Sequence, residues 1–296
     1  MKILNIGSLN YDYVYTVNHI VKPKETTSSL QMEVFQGGKG LNQSVALSRA
    51  GQKVYHVGLV GADGDQLIEC CKQNDIETDY IRKMEGKSGH TIIQVDKEGQ
   101  NCILLYGGSN RCFTKEYIDE VLTGFEVGDW LLLQNEVNLL NYIIDKAYEK
   151  GLTIALNPSP YDSSVEECDL SKISLFLLNE VEGEQITGFS EPNKILDAII
   201  SKYNNSKVVL TLGENGVIYA DKDQRVSQGI FQVEVVDTTA AGDTFTGYFL
   251  HEIITGVPVE SALNLAAKAS AIAVSKVGAT NSIPYRKEVM ESDLYY

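Results

Sequence analysis

The most informative stretch of this sequence is Asp237-Thr-Thr-Ala-Ala-Gly-Asp-Thr-Phe-Thr-Gly247. The apolar and polar alternation of residues 231–236 before it predicts a strand, and the apolar spacing of residues 244–255 after it predicts a helix. The first N–H groups of a helix have no partner within it and carry partial positive charge, so they bind anions. Because residues 240–242 are two alanines and a glycine, we expect a phosphate group to approach these amides closely.

Asp243 is the residue that a simple phosphate cradle does not explain. A carboxylate at this place would repel a bound polyphosphate, unless it faces a second substrate and accepts the proton of that substrate's hydroxyl. The alternative is an aspartate that only complements the helix dipole in the first turn. An isolated Gly-Asp pair favours that alternative, but the surrounding sequence favours a general base. The predicted catalytic set is Asp243 with the backbone of Ala240, Ala241 and Gly242.

Three segments resemble the signature segments of the ribokinase family of sugar kinases: residues 237–247, Gly37-Gly-Lys-Gly-Leu-Asn-Gln43 and Gly7-Ser-Leu-Asn-Tyr-Asp12. The likeness extends in the same order from residue 3 to about residue 287. It implies an α/β fold with three α/β/α layers, a mostly parallel central sheet and a small β-sheet lid, in one domain spanning residues 1–296. It also implies ATP-dependent phosphorylation of a sugar's primary hydroxyl, with D-ribose giving D-ribose 5-phosphate as the expected reaction.

The pattern from residue 114 onward supports this fold without the resemblance. Strands predicted at 130–134, 153–157, 174–178 and 207–212 alternate with helices at 114–122, 138–150, 180–187 and 193–204, and residues 259–274 predict the final helix. Such alternation predicts a parallel sheet that binds ligands at the carboxyl ends of its strands. Strands within about 10–36 and 88–108 stand outside it and predict a separate small sheet. In the resembled family this sheet is a lid over the sugar and often a homodimer contact.

The predicted sugar ligands lie on several segments. Asn10 and Asp12 are two residues apart in a predicted strand, so they point the same way and offer an amide and a carboxylate to a polyol. An ordinary edge strand facing water is the alternative. The segment from Gly38 to Asn42 is not a Walker A loop, because Gly40 stands where that motif needs serine or threonine. With the resemblance, the expected sugar-binding residues are Asn10, Asp12, Gly38, Lys39, Gly40, Asn42, Glu136 and Asp243.

The predicted nucleotide side has a second set of residues. Asn179 and Glu182 lie three residues apart at a helix start, where the resemblance places them near the phosphates and Mg²⁺, usually through water. A capping arrangement is the alternative, and both can hold at once. The resemblance also implies nucleotide contacts from Thr211, Gly213, Gly216 and Gly242. Ala267 predicts that contact with the adenine is mostly apolar or through the backbone.

A monovalent cation, expected to be K⁺, is implied by the resemblance alone. Its expected ligands are Asp237 and Thr239, with oxygens from Ala273, Lys276, Gly278 and Ser282. An acidic side chain and several backbone oxygens suit this ion.

Composition excludes some partners. The formal net charge of −15 argues against nucleic acid and anionic membranes. Five cysteines without metal-site spacing, and no signal peptide or spanning segment, favour a cytoplasmic protein. Tyr11, Tyr13 and Tyr15 leave the identity of the sugar open. The alternatives are a kinase of the same fold acting on a nucleoside, fructose or a keto-deoxy sugar acid, and a non-catalytic sugar or nucleotide sensor.

Overall fold

A computed structural model describes residues 1–294 of the 296. The strands are β1 (Ile3–Ile6), β2 (Asn10–Thr16), β3 (Gln31–Gly37), β4 (Val54–Val60), β5 (Ile81–Lys83), β6 (Gly89–Val95), β7 (Asn101–Tyr106), β8 (Trp130–Gln134), β9 (Thr153–Asn157), β10 (Leu175–Asn179), β11 (Lys207–Thr211), β12 (Val217–Ala220) and β13 (Arg225–Gln228). The helices are α1 (Lys39–Ala50), α2 (Asp65–Gln73), α3 (Lys115–Leu122), α4 (Leu140–Glu149), α5 (Ser163–Glu166), α6 (Glu180–Thr187), α7 (Pro192–Lys202), α8 (Ala241–Ile254), α9 (Val259–Val274) and α10 (Arg286–Glu291).

The central sheet has nine strands in the order β13-β12-β11-β10-β9-β8-β1-β4-β5. The pairs from β11 to β5 are parallel, and the two pairs at one edge, β11–β12 and β12–β13, are antiparallel. Parallel strands need crossover connections, which the helices between them supply. The mostly parallel sheet predicted from the sequence is therefore confirmed.

Helices cover both faces of this sheet. Successive strand residues point to opposite faces, so Leu131 and Leu133 join one buried cluster while Leu132 joins the other. The first cluster includes buried residues of α3, α4 and α7, and the second includes those of α1, α2, α8 and α9. The two cores, one on each side of the sheet, confirm the three-layer α/β/α fold.

A second sheet of four strands has the order β3-β2-β6-β7. It arises from the two regions in which the sequence predicts a separate small sheet. Many of its apolar side chains are exposed, including Ile103 at 56% and Leu104 at 67%. We refer to β2, β3, β6 and β7 as the lid sheet.

Three of the predicted elements are corrected. Residues 231–236 do not form a strand, and at the end of this segment Val236 N and Asp237 N both donate to Val274 O. The sheet edge is instead formed by β13, and Val235 is 62% exposed. Helix α8 begins at Ala241, three residues before the predicted start, and α9 is followed by α10, so it is not the final helix. No helix within residues 1–294 is long and apolar enough to cross a membrane.

Candidate active site

Polar side chains from both sheets and two helix starts meet at the carboxyl edge of the central sheet. Asn179 ends β10 and Thr211 ends β11, and Glu136 follows β8 by two residues. Helices α1 and α8 begin at the same edge and contact each other along their length. The parallel topology thus brings together residues that are far apart in sequence.

The start of α8 has the geometry expected of an anion site. Ala240 precedes the helix in the left-handed conformation, with φ of 60°. Gly242 is exposed, and a Cβ placed on it would meet no atom within 4 Å. Ala241 N donates weakly to Thr238 O at 3.3 Å, while the next amides are in the first turn, where a helix offers them no acceptor. A phosphoryl group can therefore reach these amides from the open side.

Asp243 is held by two side-chain amides from α1. Its Oδ2 accepts from Asn42 Nδ2 at 3.0 Å, and its Oδ1 accepts from Gln43 Nε2 at 2.9 Å. Its exposed fraction is 7%, and it lines a cavity at this edge together with the α8 start. The carboxylate thus lies beside the first amides of α8 and faces a space where a substrate can enter.

Lys39 supplies positive charge among several carboxylates. Burial alone would lower the pKa of Lys39, but neighbouring carboxylates outweigh it and raise that pKa. They belong to Asp243, Glu136 and Glu182. Burial raises the pKa of Glu136, although Lys39 and a hydrogen bond from Ser8 oppose the rise. The same carboxylate accepts from Lys39 N at 2.9 Å and from Ser8 Oγ, so Glu136 ties the start of α1 to the end of β1.

Asn10 and Asp12 lie on the face of the lid sheet that their spacing predicts. Asp12 Oδ1 accepts from Thr91 Oγ1 at 2.5 Å, across the β2–β6 pair. Burial raises the pKa of Asp12, against the hydrogen bond from Thr91, and the charge of Asp243 adds to the rise. Asn10 is 2% exposed, and its Oδ1 accepts from Asn110 Nδ2 at 2.7 Å. Asp243 is thus close enough to Asp12 for its charge to act on that carboxyl.

At two positions of the α1 start, the backbone lies so close to residues 7 and 8 that only glycine fits. Gly38 has φ of 92°, which favours glycine, and a Cβ on it would lie 2.8 Å from Ser8 Oγ. A Cβ on Gly40 would lie 2.3 Å from Ser8 N and 2.7 Å from Gly7 Cα. These glycines let α1 cross directly over the end of β1, which brings Lys39 and Asn42 to the site.

The cavity beside Asp243 has a volume of about 330 Å³. Its lining includes these predicted residues: Lys39, Asn179, Glu182, Thr211, Gly213, Ala240, Ala241, Gly242 and Asp243. The other residues of the predicted sugar set are not among those that line it: Asn10, Asp12, Gly38, Gly40, Asn42 and Glu136. Leu212 N donates to Gly216 O at 2.8 Å and closes the turn after β11. Among the described residues, Gly216 is at the far end of this turn and does not line the cavity.

Asn179 and Glu182 form the capping box that was the alternative to ligand binding. Asn179 Oδ1 accepts from Glu182 N, and Glu182 Oε2 accepts from Asn179 N, both at 2.9 Å. Glu182 Oε1 also accepts from Asn179 Nδ2 at 3.0 Å. Both residues still line the cavity, so capping and ligand contact are compatible. Within residues 1–294, no three His, Cys, Asp or Glu side chains are grouped closely enough to hold a metal ion.

The structure brings some of the predicted cation ligands together. Asp237 Oδ1 accepts from Thr239 N and its Oδ2 accepts from Gly278 N, both at 2.9 Å. Ser282 is fully buried, and its Oγ donates to Ala279 O at 2.8 Å, within its own loop. Ala273 O accepts from Lys276 N at 3.1 Å. Asp237 therefore joins the segment before α8 to the loop after α9.

Several site residues were not identified from the sequence. Gln43 is next to a predicted ligand in a motif that the sequence analysis quotes, but nothing local shows that its side chain turns toward Asp243. Gln134, at the end of β8, donates to Gln43 Oε1. Asn110 supports Asn10 from a segment with no sequence signal, and Ser8 contacts Glu136. Gln43, Asn110 and Ser8 contact residues that were predicted, and Gln134 contacts Gln43, so the four form a supporting layer.

Comparison with known proteins gives the same assignment. The model of the "pfkB family carbohydrate kinase" matches residues 1–286. A ribokinase of Haemophilus influenzae is 33% identical over 97% of this chain and 96% of its own length. A deoxyribokinase of Salmonella typhi is 31% identical over 96% of each. The structure of Arabidopsis thaliana ribokinase complexed with ribose and ATP has a TM-score of 0.84 and 26% identity, covering 98% of this chain and 97% of that one. This chain belongs to the pfkB family of carbohydrate kinases.

Proposed function

We propose that this protein transfers the γ-phosphoryl group of ATP to the primary hydroxyl of a small sugar, and that the sugar is D-ribose, giving D-ribose 5-phosphate. The observation that carries the proposal is the buried carboxylate of Asp243 beside the open amides of the α8 start. A general base and an anion site in contact are the two parts that phosphoryl transfer to an alcohol requires.

The proposed reaction assigns one role to each part. Asp243 accepts the proton of the sugar's hydroxyl, and the hydroxyl oxygen forms a bond with the γ-phosphorus. The bond between that phosphorus and the bridging oxygen of ADP breaks, so ADP leaves with the electron pair. The amides from Ala240 to Asp243 stabilise the charge that develops on the phosphoryl oxygens, and Lys39 adds a positive charge beside them.

The sugar-side residues favour a neutral polyol. Asp12 and Glu136 are carboxylates that can accept hydroxyl protons, and Lys39 is the one cation in the predicted sugar set. An acidic sugar would meet these carboxylates without an arginine to bind it, which disfavours the keto-deoxy sugar acid. The ribokinase relatives support ribose, whereas the deoxyribokinase relative keeps a closely related sugar as the second candidate. A sensor would have no use for a buried base that is held as Asp243 is.

Two ions complete the proposal. Mg²⁺, when bound, would supply positive charge that offsets the charge of the ATP phosphates. Glu182 and Asn179 would hold it through water, since their side chains already hydrogen-bond each other and Mg²⁺ keeps much of its hydration. A monovalent cation, taken to be K⁺, would lie at Asp237 with Thr239 and the oxygens of the loop after α9. The carboxylate of Asp237 joins the segment before α8 to the loop after α9, and the first of these leads directly into the α8 start.

We also propose that the protein is a homodimer and that it is cytoplasmic. Exposed apolar side chains on β7 and β3, such as Leu104 and Val34, support a homodimer through the lid sheet. In that arrangement the lid sheet would close over the sugar and exclude water, which would otherwise compete as acceptor. A cytoplasmic location fits a protein whose five cysteines are all free.

The test is ADP release, measured with a coupled assay over ribose, deoxyribose, fructose, nucleosides and a keto-deoxy sugar acid, each with Na⁺ or K⁺. Ribose is expected to give the highest kcat/KM, and K⁺ is expected to raise the rate. Turnover of only a nucleoside or only the acid would contradict the proposed acceptor. If none of these acceptors leads to ADP release, a sugar kinase of this specificity is contradicted.

A further inference from the structure

A network of buried amides leads from Asp243 into the centre of the protein. Gln43 Nε2 donates to Asp243 Oδ1 at 2.9 Å, and Gln134 Nε2 donates to Gln43 Oε1 at 2.7 Å. Gln134 Nε2 also donates to Asn5 Oδ1 at 3.1 Å, and Gln43 Nε2 to Asn157 Oδ1 at 3.0 Å. Three of these amides, those of Gln43, Gln134 and Asn5, are at most 1% exposed. We refer to Gln43, Gln134, Asn5 and Asn157 as the amide network.

A backbone carbonyl at one end of the amide network fixes its direction. An amide side chain can be reversed, so the orientation of each one needs a cause. Leu177 O can only accept, and Asn157 Nδ2 donates to it at 2.9 Å. The oxygen of Asn157 must then face Gln43. The NH₂ group of Gln43 is therefore directed toward both Asn157 and Asp243.

A second carbonyl imposes the same orientation from the other end. Asn5 Nδ2 donates to Gly40 O at 2.8 Å, which leaves Asn5 Oδ1 to face Gln134. Gln134 must then turn its NH₂ group toward Asn5 and Gln43, so Gln43 Oε1 accepts. The NH₂ group of Gln43 is again directed at Asp243. A reversed Gln43 would place its oxygen against the carboxylate and lose the hydrogen bonds on both sides.

The far end of the network adds no charge at neutral pH. Asn5 Nδ2 also donates to Ser44 Oγ at 2.8 Å, and Ser44 Oγ contacts His56 Nδ1 at 2.8 Å. Burial lowers the pKa of His56 to about 4, so its ring is neutral at physiological pH. The amide network therefore brings no charge of its own to Asp243.

We propose that Gln43 is a positioning residue for Asp243 and that the amide network holds it in that role. Donors to both carboxylate oxygens, from Asn42 and Gln43, restrict its rotation and favour its ionised form. Each oxygen keeps a lone pair that can receive the hydroxyl proton. This inference rests on the proposed role of Asp243 as the base.

The test is the pH profile of kcat at saturating sugar for Gln43→Met and Gln43→Glu, which leaves out the effect of Asp12 on the KM for the sugar. Losing a donor to the carboxylate raises the pKa of the base, so the acidic limb is expected to move up by about one to two pH units. The shift is expected to be larger for Gln43→Glu, because a second carboxylate beside Asp243 disfavours its charge. At the pH optimum, kcat is expected to fall about ten- to a hundredfold in Gln43→Met, with the KM for ATP nearly unchanged.

Two further variants separate positioning from stability. Gln134→Met does not touch Asp243 but removes a hydrogen bond that orients Gln43, so a smaller shift in the same direction is expected. Ser206→Ala loses a buried hydrogen bond to Ile173 O, at the opposite end of the central sheet, and its acidic limb is expected to stay in place. If Gln43→Met does not fold, Gln43→Glu keeps the size and polarity of the side chain, and Gln134→Met gives an independent measurement.

The inference and the proposed function fail in different ways. If the acidic limb does not move in the Gln43 and Gln134 variants, while Asp243→Asn is inactive, the positioning role of Gln43 is overturned. The role of Asp243 as the base is then unaffected. An Asp243→Asn enzyme with near-normal turnover would instead overturn the base itself.

Discussion

Side chains at the carboxyl edge of the central sheet and on the lid sheet differ in burial, against what their polarity would suggest. At the edge, amides such as Gln43 and Gln134 are buried and hydrogen-bonded to one another. On the lid sheet, apolar residues such as Ile103 and Leu104 are more than half exposed. The first arrangement is complete within one chain, whereas the second leaves apolar surface that a ligand or another chain would cover. In the proposed function, the chemistry therefore depends on the first region and its enclosure on the second.

Among the variants that keep Asp243, the largest effect is expected from Lys39→Met, in the first region. The substitution leaves the carboxylates of Asp243, Glu136 and Glu182 without the cation that compensates them. Losing one positive charge beside a transferring phosphoryl group removes part of the stabilisation of the transition state, so kcat/KM is expected to fall at least about a hundredfold. Steady-state kinetics would measure it. Lys53→Met, which removes an exposed pair with Glu77, serves as the control and is expected to keep wild-type kinetics.

The pH dependence of stability tests burial in the same region. His56 is fully buried, and its pKa is lowered from 6.5 to about 4, so the unfolded chain binds a proton more readily than the folded one. Its contribution is therefore present above pH 6.5 and is lost as the pH falls toward 4, by about 3 kcal/mol in all. Urea unfolding between pH 7 and pH 4 would measure the loss. His56→Gln is expected to flatten this dependence, and an equally steep one in the variant would contradict the assignment.

Asp12→Asn tests the contact between the two regions, because this residue is on the lid sheet but faces the site. The variant keeps a polar side chain but loses the carboxylate acceptor, so the KM for the sugar is expected to rise about ten- to a hundredfold. The kcat at saturating sugar should change much less. Burial raises the pKa of Asp12, so the wild-type KM is expected to increase as the pH falls through that pKa, and the variant's should not. A KM that depends equally on pH in both enzymes would argue against Asp12 as a ligand.

The smallest effect on catalysis is expected from the exposed apolar residues of the lid sheet. Ile103 and Leu104 point to opposite faces of β7, so Ile103→Lys and Leu104→Lys probe each face separately. If the lid sheet is a dimer contact, at least one variant is expected to become monomeric in analytical ultracentrifugation, with kcat within about threefold of wild type. Asn101→Lys, at the end of the same strand, is the matched control. A wild-type oligomeric state in both lysine variants would contradict a dimer through this sheet.

Patterns within one segment predicted most of the fold. The alternation of strands and helices after residue 114 was enough for the parallel sheet, and α6 begins and ends where the sequence predicted. The start of α8 was recognised because small residues before an amphipathic helix carry a physical meaning by themselves. The strand predicted at 231–236 was wrong. Its alternation is a local pattern that does not show whether a sheet edge is free, and that edge is occupied by β13.

Contacts between distant segments could not be predicted. Gln134 and Gln43 are 91 residues apart in sequence, and Asn5 and Gln134 are 129 apart. A glutamine in a strand or helix gives no sign of the amide that it will meet, because that depends on how the elements pack. The positions of Asn42 and Lys39 were predicted, but their interactions with Asp243 follow only from the crossing of α1 over β1.

The most direct test of the account is the rate of phosphoryl transfer in a single turnover, measured for Asp243→Asn with the acceptor that the ADP-release panel identifies. The account predicts a rate at least about a thousandfold below wild type, the contribution of a well-placed general base. ATP affinity, measured by calorimetry, should stay within about threefold, because the amides of the α8 start are unchanged. A transfer rate close to that of the wild type, in a variant that binds ATP normally, would contradict the central claim.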